Sequence, residues 1–194
     1  EHLLFLAPDV VMMQEIRVTP EQLEGNWVEG GEWTVMWHPA QKKGYAGTST
    51  WSRLPMVELG RGLNDEEDPD GRVLRTKVGP LQLVNVYLPS GSANPDRQAA
   101  KEAWMERFLS WATRLAASDE PVILAGDLNI AHTANDIHNP GGNKKNSGFL
   151  PHEREWFTSL LEAGWTDLLR VHVGEQKGPY SWWSNRGKAR ELNR

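Results

Sequence analysis

The sequence predicts an α+β or layered α/β domain whose sheets are covered by helices. Three observations carry that expectation. Short apolar runs of strand length stop at polar or charged residues; a Gly79-Pro80 turn separates two strand-like runs; and two longer stretches repeat apolar residues every three or four positions.

Glu1 to Ala7 has a helical apolar pattern without a capping residue before it, and Pro8-Asp9 ends it. Val10 to Met13 reads as a buried strand that delivers Gln14-Glu15 at its C-terminal end. Trp33 to Trp37 and Thr48 to Ser52 read as strands, separated by the turn residues Lys43 to Gly47. Asn64 to Gly71 is an acidic loop, and Arg72 to Lys77 with Leu81 to Leu88 forms a hairpin. Asn94-Pro95 caps a helix with Ala100, Trp104, Phe108, Trp111 and Leu115 on its apolar face. Pro121 to Ala125 is a second buried strand, ending in Gly126-Asp127-Leu128-Asn129. The irregular stretch His132 to Leu150 is long enough to suggest function. A last helix runs from Pro151 to Ala163, with Trp156, Leu160 and Ala163 on one face and Gly164 as its stop.

A length of 194 residues suits one domain, and no run has the length of a membrane span. There are no cysteines, which removes disulfides, thiolate metal sites and thiol nucleophiles. The net charge of −5 argues against indiscriminate nucleic-acid binding, but Asp65, Glu66, Glu67, Asp68 and Asp70 account for all of it. Basic residues gather elsewhere, at Lys42-Lys43, Lys144-Lys145 and from Arg186 to Arg194, and a local basic face can hold a phosphate backbone.

Four elements carry chemistry. Glu15 offers a carboxylate at a strand end, suited to a hard cation such as magnesium, though taken alone it reads first as an ordinary surface glutamate. Asp127 and Asn129, two residues apart, would project to one side of an extended strand and orient a water or a phosphate oxygen; Gly-Asp-x-Asn is also good turn chemistry. It is not an EF-hand loop, since Ala131 takes the third ligand position. Tyr87 closes its strand, where a phenol can bond a phosphate oxygen or simply edge a sheet. Asn139 to Phe149 is rich in amide and ammonium donors of the kind that fix a nucleic-acid backbone, or is a flexible surface loop.

Taken in order, Gln14-Glu15, Gly44 to Gly47, Gly71-Arg72, Asn85-Val86-Tyr87-Leu88-Pro89 and Gly126 to Asn129 resemble the signature segments of the exonuclease III family of AP endonucleases. That family lies within the endonuclease/exonuclease/phosphatase superfamily. Asn139 to Phe149 with Pro151 to Arg154 resembles the AP endonuclease branch, and Tyr180 to Trp183 the stretch lining the abasic-sugar pocket. The resemblance implies a four-layered α/β sandwich of two facing mixed sheets flanked by helices. It implies catalytic roles for Tyr87, Asp127 and Asn129, and magnesium (or manganese) held by Glu15. DNA contacts would come from Asn143, Asn146, Lys144, Lys145, Arg97 and Trp182, with Trp182 against the flipped-out sugar. The implied substrate is double-stranded DNA containing abasic sites. The implied enzyme is a monomer, independent of membranes, in the cytoplasm on a bacterial nucleoid or in a eukaryotic nucleus.

The family's opening strand with its asparagine, and its closing aspartate strand and Asp-His pair, have no counterpart here, and Ser90 replaces an asparagine. Residues 1–194 are therefore expected to be one domain of this type, incomplete at both ends and inactive alone. Two rival readings are a non-catalytic nucleic-acid-binding regulator on the same fold and an inositol-phosphate or lipid phosphatase.

Overall fold

The computed structural model describes residues 6–25, 31–184 and 187–193; the helix expected over residues 1–7 falls almost wholly outside them. The chain forms two compact units, residues 1–88 with 118–128, and residues 89–117 with 129–194. Among the described residues no helix is long and apolar enough to cross a membrane.

The first unit holds both sheets. Strands β1 (Val10–Gln14), β2 (Thr34–His38) and β3 (Thr48–Ser52) form an antiparallel sheet in the order β1-β3-β2. Strands β4 (Met56–Arg61), β5 (Val73–Val78), β6 (Leu81–Tyr87) and β7 (Val122–Asp127) form a second sheet in that order, with β6 and β7 parallel. The sheets face each other, β1 across from β6 and β7, and β3 across from β5 and β6. Met56, Val78 and Leu83 are buried in this layer, with Val10, Met12, Met36 and Leu81 packed against them. Each fully buried aliphatic side chain of this kind contributes about 1.5–3 kcal/mol.

A polar bolt also crosses the layer. The Asn85 amide on β6 donates to the carbonyls of Ser49 (2.9 Å) and Met13 (3.2 Å), and its oxygen accepts from Gln14 (2.7 Å). All of Asn85 is buried, and a buried amide left unbonded costs about 1–3 kcal/mol, so these partners fix the two sheets in register. The motif segments that carry Gln14 and Asn85 thus meet in space.

Strand β4 had no clear sequence signal. Glu58, Gly60 and Arg61 spoil its apolar alternation, and its register with β5 shifts between Glu58 and Gly60. The acidic loop before β5 is mostly engaged. Arg75 pairs with Asp65 and Arg72 with Asp70, and Asp68 accepts from His38 and from the backbone of Arg72 and Val73. Burial opposes the charge on Asp68, but the His38 hydrogen bond and the two amides outweigh it and hold its pKa below the usual carboxylate range.

The second unit is helical. Helix α1 (Pro95–Ala116) starts where Asn94 accepts a hydrogen bond from the Arg97 amide (2.9 Å). A short helical turn α2 (Pro140–Asn143), helix α3 (Pro151–Glu162) and helix α4 (Leu168–Val173) follow. Phe108 is stacked on Trp104 and tilted against Trp111 and Trp156, and the Trp156 indole donates to the Met105 carbonyl (2.8 Å). Phe108 and Trp111 are buried as the periodicity predicts. Ala100, expected on the same face, is exposed, and its neighbour Lys101 takes the buried position.

Candidate active site

In the first unit the site grows from the C-terminal ends of β1, β6 and β7. Tyr87 and Asp127 are register partners on the parallel strands β6 and β7. Partners on adjacent strands project from the same face, so phenol and carboxylate emerge together. Gly126 is required just before Asp127: at φ +148° it brings the chain so close to β6 that a Cβ would strike the Val86 carbonyl oxygen.

Glu15 follows β1 with φ +54°, a conformation rare for a side chain of its size and typical of functional positions. Its turn is tied down by the Ile16 and Arg17 amides, which donate to Gly47 (3.3 Å) and Ala46 (2.9 Å). The Arg17 guanidinium pairs with the Glu15 carboxylate. Thus the Gln14-Glu15 and Gly44-to-Gly47 motifs form one local structure.

Arg72 is the residue that sequence reasoning passed over except as part of a motif. It is almost fully buried, bonds Asp70, donates to the Tyr45 hydroxyl (3.2 Å), and donates to the main-chain oxygen of Tyr87 (3.1 Å). Its guanidinium also lies over the rings of Tyr45 (5.8 Å) and Tyr87 (5.2 Å). Gly71 before it has φ +63°, and a Cβ there would run into the His38 carbonyl. An arginine placed after a glycine in an acidic loop was the available signal.

The Tyr87 phenol is pushed up to about 12. Burial is the largest cause, the charge and hydrogen bond of Glu15 follow, Arg72 opposes, and Asp127 adds to the rise. Tyr87 therefore stays protonated at neutral pH and can donate a hydrogen bond. Among the described residues no three His, Cys, Asp or Glu side chains gather as a complete metal site. Glu15 and Asp127 nevertheless place two carboxylate charges on one phenol. Two carboxylates, with water and phosphate completing the shell, suit magnesium, which seldom sits in an all-protein cage.

The second unit carries the other predicted residues. Strand β7 ends at Asp127, so strand alternation does not place Asn129, which is half-buried with φ +49°. In the loop from Asn139, the Asn143 amide donates to the Asn139 carbonyl (2.8 Å) and the Asn146 amide to the Asn143 side chain (2.9 Å). These amides stiffen the loop, and Lys144 and Lys145 project from it exposed. Arg97 is exposed in the first turn of α1. Trp182 is 74% exposed, an unusual position for a large aromatic side chain. Lys101 and Glu153, both fully buried in this unit, were not anticipated as a pair. The signal was a lysine within the apolar stripe of α1.

Two facing sheets, the second with parallel strands that end side by side on Tyr87 and Asp127, make this an α/β fold with a phenol and a carboxylate at one sheet end. A solved AP endonuclease from Archaeoglobus fulgidus has the same fold, with a TM-score of 0.86 and 25% identity, over 99% of this chain and 74% of that one. Residues 2–194 match the model of the Endonuclease/Exonuclease/phosphatase family. An exodeoxyribonuclease from Bacillus subtilis is 37% identical over 95% of this chain and 72% of its own length. The DNA repair nuclease APEX1 of Danio rerio is 34% identical over 96% of this chain, which spans 61% of that protein. The chain belongs to the endonuclease/exonuclease/phosphatase family, in its exonuclease III and AP endonuclease branch. Metal dependence is typical of that family.

Proposed function

We propose that the protein is a DNA-repair nuclease that hydrolyses the phosphodiester 5′ to abasic sites in duplex DNA, with 3′-to-5′ exonuclease and 3′-phosphodiesterase activity. The observation that carries this is the register pairing of Tyr87 with Asp127, with Glu15 acting on the same phenol. The names of the relatives, an exodeoxyribonuclease and a DNA repair nuclease, support DNA as the substrate. The enzyme works as a monomer in whichever compartment holds the DNA.

Glu15 would hold magnesium or manganese, which when bound would offset negative charge on phosphate and leaving oxygen. The Tyr87 phenol, protonated, donates to a phosphate oxygen. Asp127 positions the attacking water and accepts its proton, and the Asn129 amide fixes the phosphate for in-line attack. Asn143, Asn146, Lys144, Lys145 and Arg97 hold backbone phosphates, which adds affinity without reading sequence. Trp182 packs against the extruded sugar, and an abasic nucleotide has little stacking to lose on leaving the helix.

The test is cleavage of a labelled duplex containing one abasic site by the full-length protein, with magnesium, manganese or chelator. Incision 5′ to the site in either metal, abolished by chelator and unaffected by excess soluble inositol phosphate, is expected. Metal-dependent binding without incision would favour a non-catalytic regulator. Release of phosphate from inositol phosphates instead would favour the phosphatase.

A further inference from the structure

Helix α1 sets one charged side chain in its apolar face. Lys101 and Glu153 of α3 are both 0% exposed and pair at 2.6 Å. The Glu153 carboxylate also accepts from the amides of Gly148 (2.6 Å) and Leu150 (3.1 Å) and from the Gln98 side chain (3.1 Å). The Lys101 ammonium reaches past its partner to the main-chain oxygen of Asn129 (3.0 Å) and towards the Ser147 hydroxyl (3.5 Å). Burial opposes the charge on Glu153, but the hydrogen bonds of Lys101 and Gln98 prevail and its pKa lies below the usual range.

Such a pair is a poor source of stability, because desolvating two charges offsets most of their attraction, and well-packed neutral replacements are often neutral or stabilising. What this pair does provide is position. Asn129 sits at φ +49°, in the left-handed region that asparagine tolerates better than most residues, so its placement depends on the bonds its main chain makes. Around it the Ala131 amide donates to the Gly148 carbonyl (2.8 Å), and the amide of that same Gly148 is gripped by Glu153. One buried pair therefore bonds both Asn129 and the end of the loop that carries Asn143 to Asn146.

We infer that Lys101 and Glu153 are positioning residues that hold Asn129 in its working conformation and anchor the phosphate-binding loop beside it. The inference rests on the catalytic reading of Asn129 proposed above.

The experiment replaces the pair in the full-length protein by Lys101→Met with Glu153→Gln, and measures thermal unfolding, duplex affinity and single-turnover cleavage. Unfolding near wild type, duplex affinity weaker by about three- to tenfold as the loop loses its anchor, and a saturated rate lower by roughly ten- to a hundredfold are expected, the cost of slight misplacement of a reacting group. Adding the pair replacement to Asn129→Ala is expected to lower the rate little further. Wild-type cleavage by the paired variant, with Asn129→Ala disabled, overturns the inference and leaves the site reading intact. Wild-type cleavage by Asn129→Ala overturns the site reading itself. Lys101→Leu with Glu153→Met repeats the measurement with different packing. Failure of both replacements to fold would show that the pair holds the fold, and also overturns the inference.

Discussion

Each compact unit buries one cation against the main-chain oxygen of a candidate catalytic residue, but the two do it differently. In the first unit Arg72 bonds the Tyr87 oxygen (3.1 Å) while sharing its guanidinium among Asp70 and two tyrosine rings. In the second, Lys101 bonds the Asn129 oxygen (3.0 Å) from within a fully buried ion pair. A planar fork can bond and stack at once, so Arg72 meets several partners in a half-wet loop. A compact ammonium with three donors suits the dry helix interface, where Lys101 bonds Glu153 and the Asn129 oxygen at once. Tyr87 closes β6 and Asn129 follows the end of β7 by two residues, and at each of these candidate residues a buried cation bonds the main-chain oxygen.

A residue that acts in the reaction and one that holds DNA give opposite signatures on substitution. Asp127→Ala is expected to lower single-turnover cleavage by several powers of ten, in the manner of residues that act only in the transition state, with abasic-duplex binding nearly unchanged. Retention of the rate within about tenfold would remove Asp127 from the chemistry.

Lys144 and Lys145, exposed on the second unit's loop, should behave in the opposite way. Replacing both by alanine is expected to weaken binding and flatten the slope of log affinity against log salt by up to about two units, with saturated cleavage little changed. An unchanged slope means that they face solvent.

The smallest effect concerns the loop that carries Arg72. Asp68 is held below its usual pKa in the folded state, so its stabilising contribution is present above the unfolded-state value and fades as pH falls through the lowered one. Asp68→Asn is expected to cost about 1–2 kcal/mol at neutral pH, shrinking as the pH falls through the carboxylate range. Denaturant unfolding across that range measures it, and a pH-independent difference would mean that the carboxylate charge plays no part.

The sequence made most of this legible where side chains obey a single period. Phe108 and Trp111 were readable as core because burial there follows the helical period, whereas Thr48–Ser52 was readable as a strand from the turn residues before it, with all five of its residues buried. Strand β4 was not, since Glu58 and Gly60 are tolerated only at a sheet edge with a register shift. Tyr87 and Asp127 were legible as strand ends, yet their adjacency depends on parallel pairing across residues far apart in the chain. Asn129 was placed by an alternation that stops two residues earlier. Lys101 was invisible because a lysine in a helix normally lies in solvent, and only its distant partner Glu153 makes burial tolerable.

If these buried cations act through the residues whose main chain they hold, a double-mutant cycle between Arg72 and Tyr87 will show strong coupling. Arg72→Lys keeps the charge but loses the fork, and alone should lower single-turnover cleavage by about tenfold or more. In a Tyr87→Phe background, where placing the phenol no longer matters, the same change should cost less than about threefold. An equal loss in both backgrounds would contradict the account, because Arg72 would then contribute by a route that does not pass through Tyr87.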